Sequence, residues 1–420
     1  MQITISEGCH MLNKKRDREF KFIIDRKARE NSRKDIPVQS KKRQYLLAAI
    51  LIILTLSSCD NTFSIFQSIG QEVKQLGAEL FKGTTVRAMG SDATNYYALM
   101  SKVVYKPKRP KSGVNWDVLP IDGDTDYFSP GLASDGNTIY VAKADLNANL
   151  KDIYSSTDGC KNWTGMDAKN DIQNVIGAGN NFCVDWLKCE NNTLFVEVHD
   201  SELAYYLFYY DKLSDSFENA FTNTISSLSE PLVDIVWDGS TSAPGKYWLI
   251  SSSKVYSGVE GSIDEDSSLN NPALSKGLKG IASDGAGRIL VSRSDGKIYD
   301  YASGNWSNFL VKSSSELGPL ILLDQPSTSK RILVAMGTST SGYMECDENG
   351  SIVYENGVGF ISTSQSIYNS TVRAKQVEGF WQPVDDSNTL FALLAAGSEG
   401  SYALYRNTYS EGAWSGWIAE

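Results

Sequence analysis

Side chains that commonly carry chemistry are few in this 420-residue chain, and their spacing gives them little to work with. There are two histidines, His10 and His199, so a histidine-based triad or a multi-histidine metal centre has almost no raw material. Six cysteines, at 9, 59, 160, 183, 189 and 346, include no CxxC pair, which removes the spacing on which small zinc sites are built. Cys183 and Cys189 are close enough in sequence to close a small disulfide, and buried free thiols fit the same spacing equally well. The run Asp122-Gly123-Asp124-Thr125-Asp126 alternates carboxylates that could wrap a hard cation. Tyr127 stands where a helix-flanked calcium loop needs its glycine and Ala133 where it needs its closing glutamate, which leaves a looser calcium site or a solvated acidic turn.

Charge divides the chain. Residues 1–58 carry 13 Lys and Arg against 6 Asp and Glu, whereas residues 59–420 carry 27 against 44, a net charge of −17. So acidic a body, with no basic stripe interleaved with aromatics, excludes nucleic acid as a partner. No residue set implies a cofactor. His199 reads as an ordinary strand or loop residue.

The elements that would position any site repeat. Leu132-Ala-Ser-Asp-Gly-Asn-Thr-Ile-Tyr-Val-Ala-Lys143 and Ile281-Ala-Ser-Asp-Gly-Ala-Gly-Arg-Ile-Leu-Val-Ser-Arg293 each give an apolar strand, a Ser-Asp-Gly turn and a second apolar strand. Weaker versions surround Ser91-Asp92, Asn191-Asn192, Asp238-Gly239, Asp324 and Asp385-Asp386, making seven units. Several close on a tryptophan, at Trp116, Trp163, Trp306 and Trp414. The leading hairpins recur at roughly forty to sixty residues, the period of one four-stranded propeller blade. The pattern predicts an all-β fold, a seven-bladed β-propeller over 86–420, with six or eight blades as the neighbouring solutions and two packed sandwiches as the competing one. Tyr205-Tyr206-Leu207-Phe208-Tyr209-Tyr210 is apolar on both faces, as in a central blade strand packed between two neighbours, with a carbohydrate-stacking platform as the alternative. Trp381 and Trp417 read as plugs between blades, with a ligand contact as the alternative.

Upstream, Lys41-Lys42-Arg43 precede about eleven apolar residues and the sequence Leu56-Ser57-Ser58-Cys59, a run too short to span a bilayer. This resembles a bacterial lipoprotein signal peptide over 41–58. The resemblance implies that Cys59 is diacylated on sulfur and becomes the mature N-terminus, anchoring the protein to a membrane of the cell envelope, inner or outer. A start at Val38, read from a GTG codon, would give this leader ordinary length and leave 1–37 untranslated. Over 59–85 a tether follows, in which Phe63, Phe66, Ile69, Val73, Leu76, Leu80 and Phe81 share one face of a short amphipathic helix.

Within the second unit, Ser156-Thr157-Asp158-Gly159-Cys160-Lys161-Asn162-Trp163 resembles the Asp-box, Ser-x-Asp-x-Gly-x-x-Trp, of sialidase-like bacterial propellers. The motif implies structure: Ser156, Asp158, Gly159 and Trp163 would form a capped turn and a plug, with Cys160 standing where the family has glycine. The sialidase activity of that family needs three arginines on a carboxylate and a Tyr-Glu pair. None of Arg87, Arg109, Arg288, Arg293, Arg331, Arg373 and Arg406 lies in the expected setting. The expectation is therefore a lipid-anchored binding or interaction module at the envelope, for a protein or a glycan. The alternatives are an assembly scaffold or a carbohydrate-active enzyme.

Overall fold

The computed structural model describes residues 80–420 apart from 110–114, 146–147, 178–180, 223–224, 240–244, 267–276, 303, 312–315, 324–329, 338–341, 356–357, 360–371, 373–374 and 396–401. The leader, Cys59 and the tether as far as residue 79 lie outside the described residues. So does Asp324.

Seven antiparallel sheets follow one another along the chain, at 88–118, 128–165, 182–219, 232–265, 278–311, 317–359 and 377–419. Each is a meander, the outer edge of the last one formed by two short pieces that both pair with its third strand, and from the first sheet to the seventh the first strands of consecutive sheets pack on one another, so the first strands line the axis. Every hairpin recognised in the sequence joins an innermost strand to the second strand of its blade.

The core proves the ring. Buried apolar residues fall into seven clusters, each between two consecutive blades, and the seventh joins blade 7 to blade 1. Second strands alternate between the two seams they border. Tyr96 and Ala98 face blade 7 while Tyr97 and Leu99 face blade 2. Tyr247 and Leu249 face blade 3 while Trp248 and Ile250 face blade 5. A strand buried on both faces needs apolar residues at every position, which is why the seven hairpins were visible in the sequence. Leu207 and Phe208 behave in the same way within the third strand of blade 3 (Tyr205–Asp211).

Tryptophans close the outside of the seams. Trp116, Trp163, Trp306 and Trp414 stand at or just before the outermost strands of blades 1, 2, 5 and 7, and each packs into the seam with the preceding blade. Trp381 fills the seam between blades 7 and 1, and Trp417 that between 6 and 7, where its Nε1 donates to the Tyr343 hydroxyl at 3.1 Å. A polar clasp secures the seam between blades 7 and 1. The Glu420 carboxylate meets Lys106 Nζ at 2.6 Å, Trp116 Nε1 at 3.0 Å and Arg406 Nε at 2.7 Å. Phe81 is buried in the same seam, edge-on to Trp116 at 5.2 Å.

One helix occurs among the described residues, α1 (Ala168–Ile176), in the connection from blade 2 to blade 3. The Asp152 carboxylate accepts the Ala168 amide at 2.9 Å, and Ile172 packs into the seam below.

Candidate functional site

The turn at 156–163 is built as a capped loop. Asp158 Oδ1 accepts from Ser156 Oγ and from the Lys161 and Asn162 amides at 2.9–3.1 Å, and Asn162 Nδ2 donates to Oδ2 at 2.6 Å. The Asn162 amide and side chain, with the other donors, hold the Asp158 carboxyl at about 2. Trp163 donates to Pro120 O at 3.1 Å and packs in the seam between blades 1 and 2. Cys160 adopts φ +64°, the left-handed conformation a glycine would take without cost. Its thiol donates to the Tyr97 hydroxyl at 3.3 Å, which donates to Asp92 at 2.5 Å. Burial pushes the thiol up to about 12, so it is a packed group rather than a nucleophile.

Of the acidic run, Asp124 pairs with Lys143 at 2.7 Å and Asp126 with Lys102 at 3.0 Å, while Asp122 takes a left-handed turn conformation with φ +51°. Among the described residues no group of three or more His, Cys, Asp and Glu side chains is placed to hold a metal ion.

The disulfide expectation is corrected: Cys183 and Cys189 are free thiols. Both lie on one continuous inner strand (Phe182–Glu190), whose rise holds them roughly 20 Å apart, far beyond the reach of a disulfide.

Four described arginines are spent on acidic partners in separate places: Arg288 on Asp300, Arg293 on Asp295, Arg331 on Glu345 and Arg406 on Glu420. They therefore do not assemble a three-arginine grip on one carboxylate.

Sequence reasoning missed the face of the ring at which the inner strands begin. In six of the seven blades the inner strand slips register near its start, inserting extra residues there: Ser129-Pro130, Asp185, Val233, Lys279, Gly318-Pro319 and Glu378. A bulge breaks the ladder and re-aims side chains, and it favours barrel rims and sites. The inner strands are crowded here: a Cβ at Gly280 would meet the Pro319 backbone at 2.7 Å. In blade 1, Arg87 occupies the corresponding place just before the inner strand (Ala88–Ser91). Its Nη2 donates to Met100 O and to Ser129 O, both at 2.7 Å, and its Nε to Met100 O at 3.1 Å. Beside it, between blades 7 and 1, opens a cavity of about 360 Å³ lined by Thr85, Val86, Arg87, Glu378, Leu393 and Ala395.

Titratable groups gather at the same end of blade 3. Asp185 accepts from His199 Nδ1 at 2.8 Å, and burial raises its carboxyl above the ordinary range despite that contact. Glu197, 1% exposed, lies in the seam with blade 4. One oxygen accepts the Leu232 amide at 2.6 Å, and Oε2 has no partner among the described residues. Burial pushes this carboxyl up to about 8. The clue was a single glutamate in Leu194-Phe195-Val196-Glu197-Val198, a stretch otherwise apolar on both faces.

Seven antiparallel sheets whose seams close into a ring define a seven-bladed β-propeller. No family model matches the chain, and no curated protein is similar to it in sequence. Its similarities are to solved structures. PorZ of Porphyromonas gingivalis, described as an essential bacterial surface component of the type-IX secretion system, matches 80% of this chain over 38% of its own, at 14% identity and TM-score 0.50. The GH74 xyloglucanase of Xanthomonas campestris matches 80% over 54% of its own chain, at 12% identity and TM-score 0.50. The WD40 propeller domain of Doa1 matches 74% over 90%, at 12% identity and TM-score 0.46. At such identities the likeness is one of fold, and this fold serves unrelated activities.

Proposed function

We propose that this is a lipid-anchored binding propeller of the bacterial cell envelope, tethered through Cys59, which holds its ligand at the mouth where the inner strands begin. The observation that carries the reading is the ring of bulges there, beside the cavity between blades 7 and 1. The bulges turn Asp185, Lys279 and Glu378 out of the ladder and onto a rim that seven seams hold rigid, the arrangement that lowers the entropic cost of binding. An assembly scaffold with one fixed protein partner is the same reading with a defined ligand.

Site-specific photocrosslinking in native membranes tests it. A crosslinker at Lys279 should capture a partner or ligand, whereas one at Leu213, which is 97% exposed on the turn between the third and fourth strands of blade 3, should not. Capture at Leu213 with none at Lys279 would refute the choice of face. Intact mass tests the anchor: an acylated N-terminus at Cys59 is expected, and a retained leader would remove the tether from the account.

A further inference from the structure

Resting on the reading that the mouth is the binding face, we propose that the cavity between blades 7 and 1 takes a short peptide with free amino and carboxyl ends and aliphatic side chains. The rim presents two opposite charges, each with capacity left over. Arg87 is held by backbone carbonyls instead of a carboxylate, through Nε and Nη2, and its Nη1 has no partner among the described residues. The guanidinium also lies 5.7 Å from the centre of the Phe128 ring. It is therefore oriented before any ligand arrives, and its charge is not cancelled by an acidic side chain. A guanidinium fixed in this way recognises a carboxylate.

Glu378, on the bulge of blade 7, accepts from Gln376 Nε2 at 2.6 Å through Oε1. Its Oε2 has no partner among the described residues and is free to accept from an ammonium. Between the charges the lining is aliphatic, formed by Val86, Leu393 and Ala395. A purely anionic ligand would meet Glu378 and a purely cationic one Arg87, so charge complementarity selects a molecule carrying both signs. The volume of about 360 Å³ lies at the lower end of small-molecule sites and suits a peptide of about two residues. The neighbouring Gly379 leaves open space where a side chain would stand.

The test is titration calorimetry of the folded protein with leucyl-leucine, alongside N-acetyl-leucyl-leucine amide, which has the same side chains and no charged ends. Saturable heat is expected with leucyl-leucine and none with the capped compound. Arg87→Met and Glu378→Gln should each weaken binding roughly tenfold or more, the loss of one charge-assisted hydrogen bond. Both residues are exposed, but Arg87→Met gives up the bonds to Met100 O and Ser129 O, so melting curves of each variant must match the wild type before its binding is compared. Absence of heat at millimolar leucyl-leucine, equal binding of the capped compound, or unchanged affinity in both variants would overturn the proposal. The Lys279 crosslink separates the two readings. If it persists while the peptide fails, the mouth still binds but not this ligand; if it too is lost, the binding face itself is wrong.

Discussion

Replacing Glu197 with glutamine should flatten the dependence of stability on pH. The buried carboxyl has its pKa raised to about 8 in the folded protein, against 4.5 for an ordinary glutamate. The folded state therefore holds the proton more tightly than the unfolded chain does. Below pH 4.5 both are protonated and the stabilising contribution is complete. Between pH 4.5 and 8 the unfolded chain ionises first, and stability falls by about 1.4 kcal/mol per pH unit, on the order of 4–5 kcal/mol across the window. In the Glu197→Gln variant the amide side chain cannot ionise, so its carbonyl can accept the Leu232 amide at every pH. Its NH₂ has no acceptor in place, which costs about 1–3 kcal/mol, and this offset is also the same at every pH. The slope of the difference between the two proteins is therefore diagnostic, not the stability of the variant at one pH. Urea unfolding midpoints of both proteins from pH 4.5 to 8.5 would measure it. Asp185, the charged neighbour coupled to Glu197, and its partner His199 are kept in both proteins, so their own titration largely cancels in the difference. Parallel profiles for wild type and variant would refute the argument, because they would mean that the seam between blades 3 and 4 admits enough water to keep Glu197 an ordinary acid.

Glu420→Gln should destabilise the ring by about 3 kcal/mol, since it leaves Lys106 and Arg406 without their shared carboxylate in a largely buried clasp; hydrogen exchange should quicken first in the third strands of blades 1 and 7, where those residues sit. Phe81→Ala should cost about 3–5 kcal/mol by opening a cavity beside Trp116, read as a lowered unfolding midpoint. Cys160→Gly should be the more stable of two truncations, by about 1 kcal/mol over Cys160→Ala, because alanine keeps the strained φ of +64° and glycine relieves it. Non-reducing peptide mapping should recover Cys183 and Cys189 as separate thiols, and a linked peptide would contradict the single inner strand on which both are placed.

The sequence declared the blades because a second strand wedged between two neighbours must be apolar at every position, and because the turn that follows an inner strand needs a carboxylate to cap its amides. Asp92, Asp135 and Asp284 each accept two such amides at 2.7–3.0 Å, so the recurring aspartate is a consequence of the hairpin itself. The bulges left no comparable mark. A bulge is a mismatch between two strands, and neither strand alone carries its signature, so nothing in the sequence sets Asp185, Lys279 and Glu378 apart from other charged residues. The disulfide expectation failed for a related reason: Phe182–Glu190 mixes polar and apolar residues because it lines the axis, and that mixture looks like a loop until its pairing with Thr193–Asp200 is known. Glu197 was the one site residue that could have been found. Once Leu194 to Val198 is assigned to a second strand, both of its faces are committed to seams, and any charge there must be buried in the protein. The same inference reaches Glu345, fully buried in the third strand of blade 6, where Arg331 stands 3.4 Å away to meet it. Blade architecture thus turns an isolated charge within an apolar run into a statement about burial. At Glu197 the carboxylate was given an amide instead of a cation, which is why its proton, and not an ion pair, is the quantity to measure.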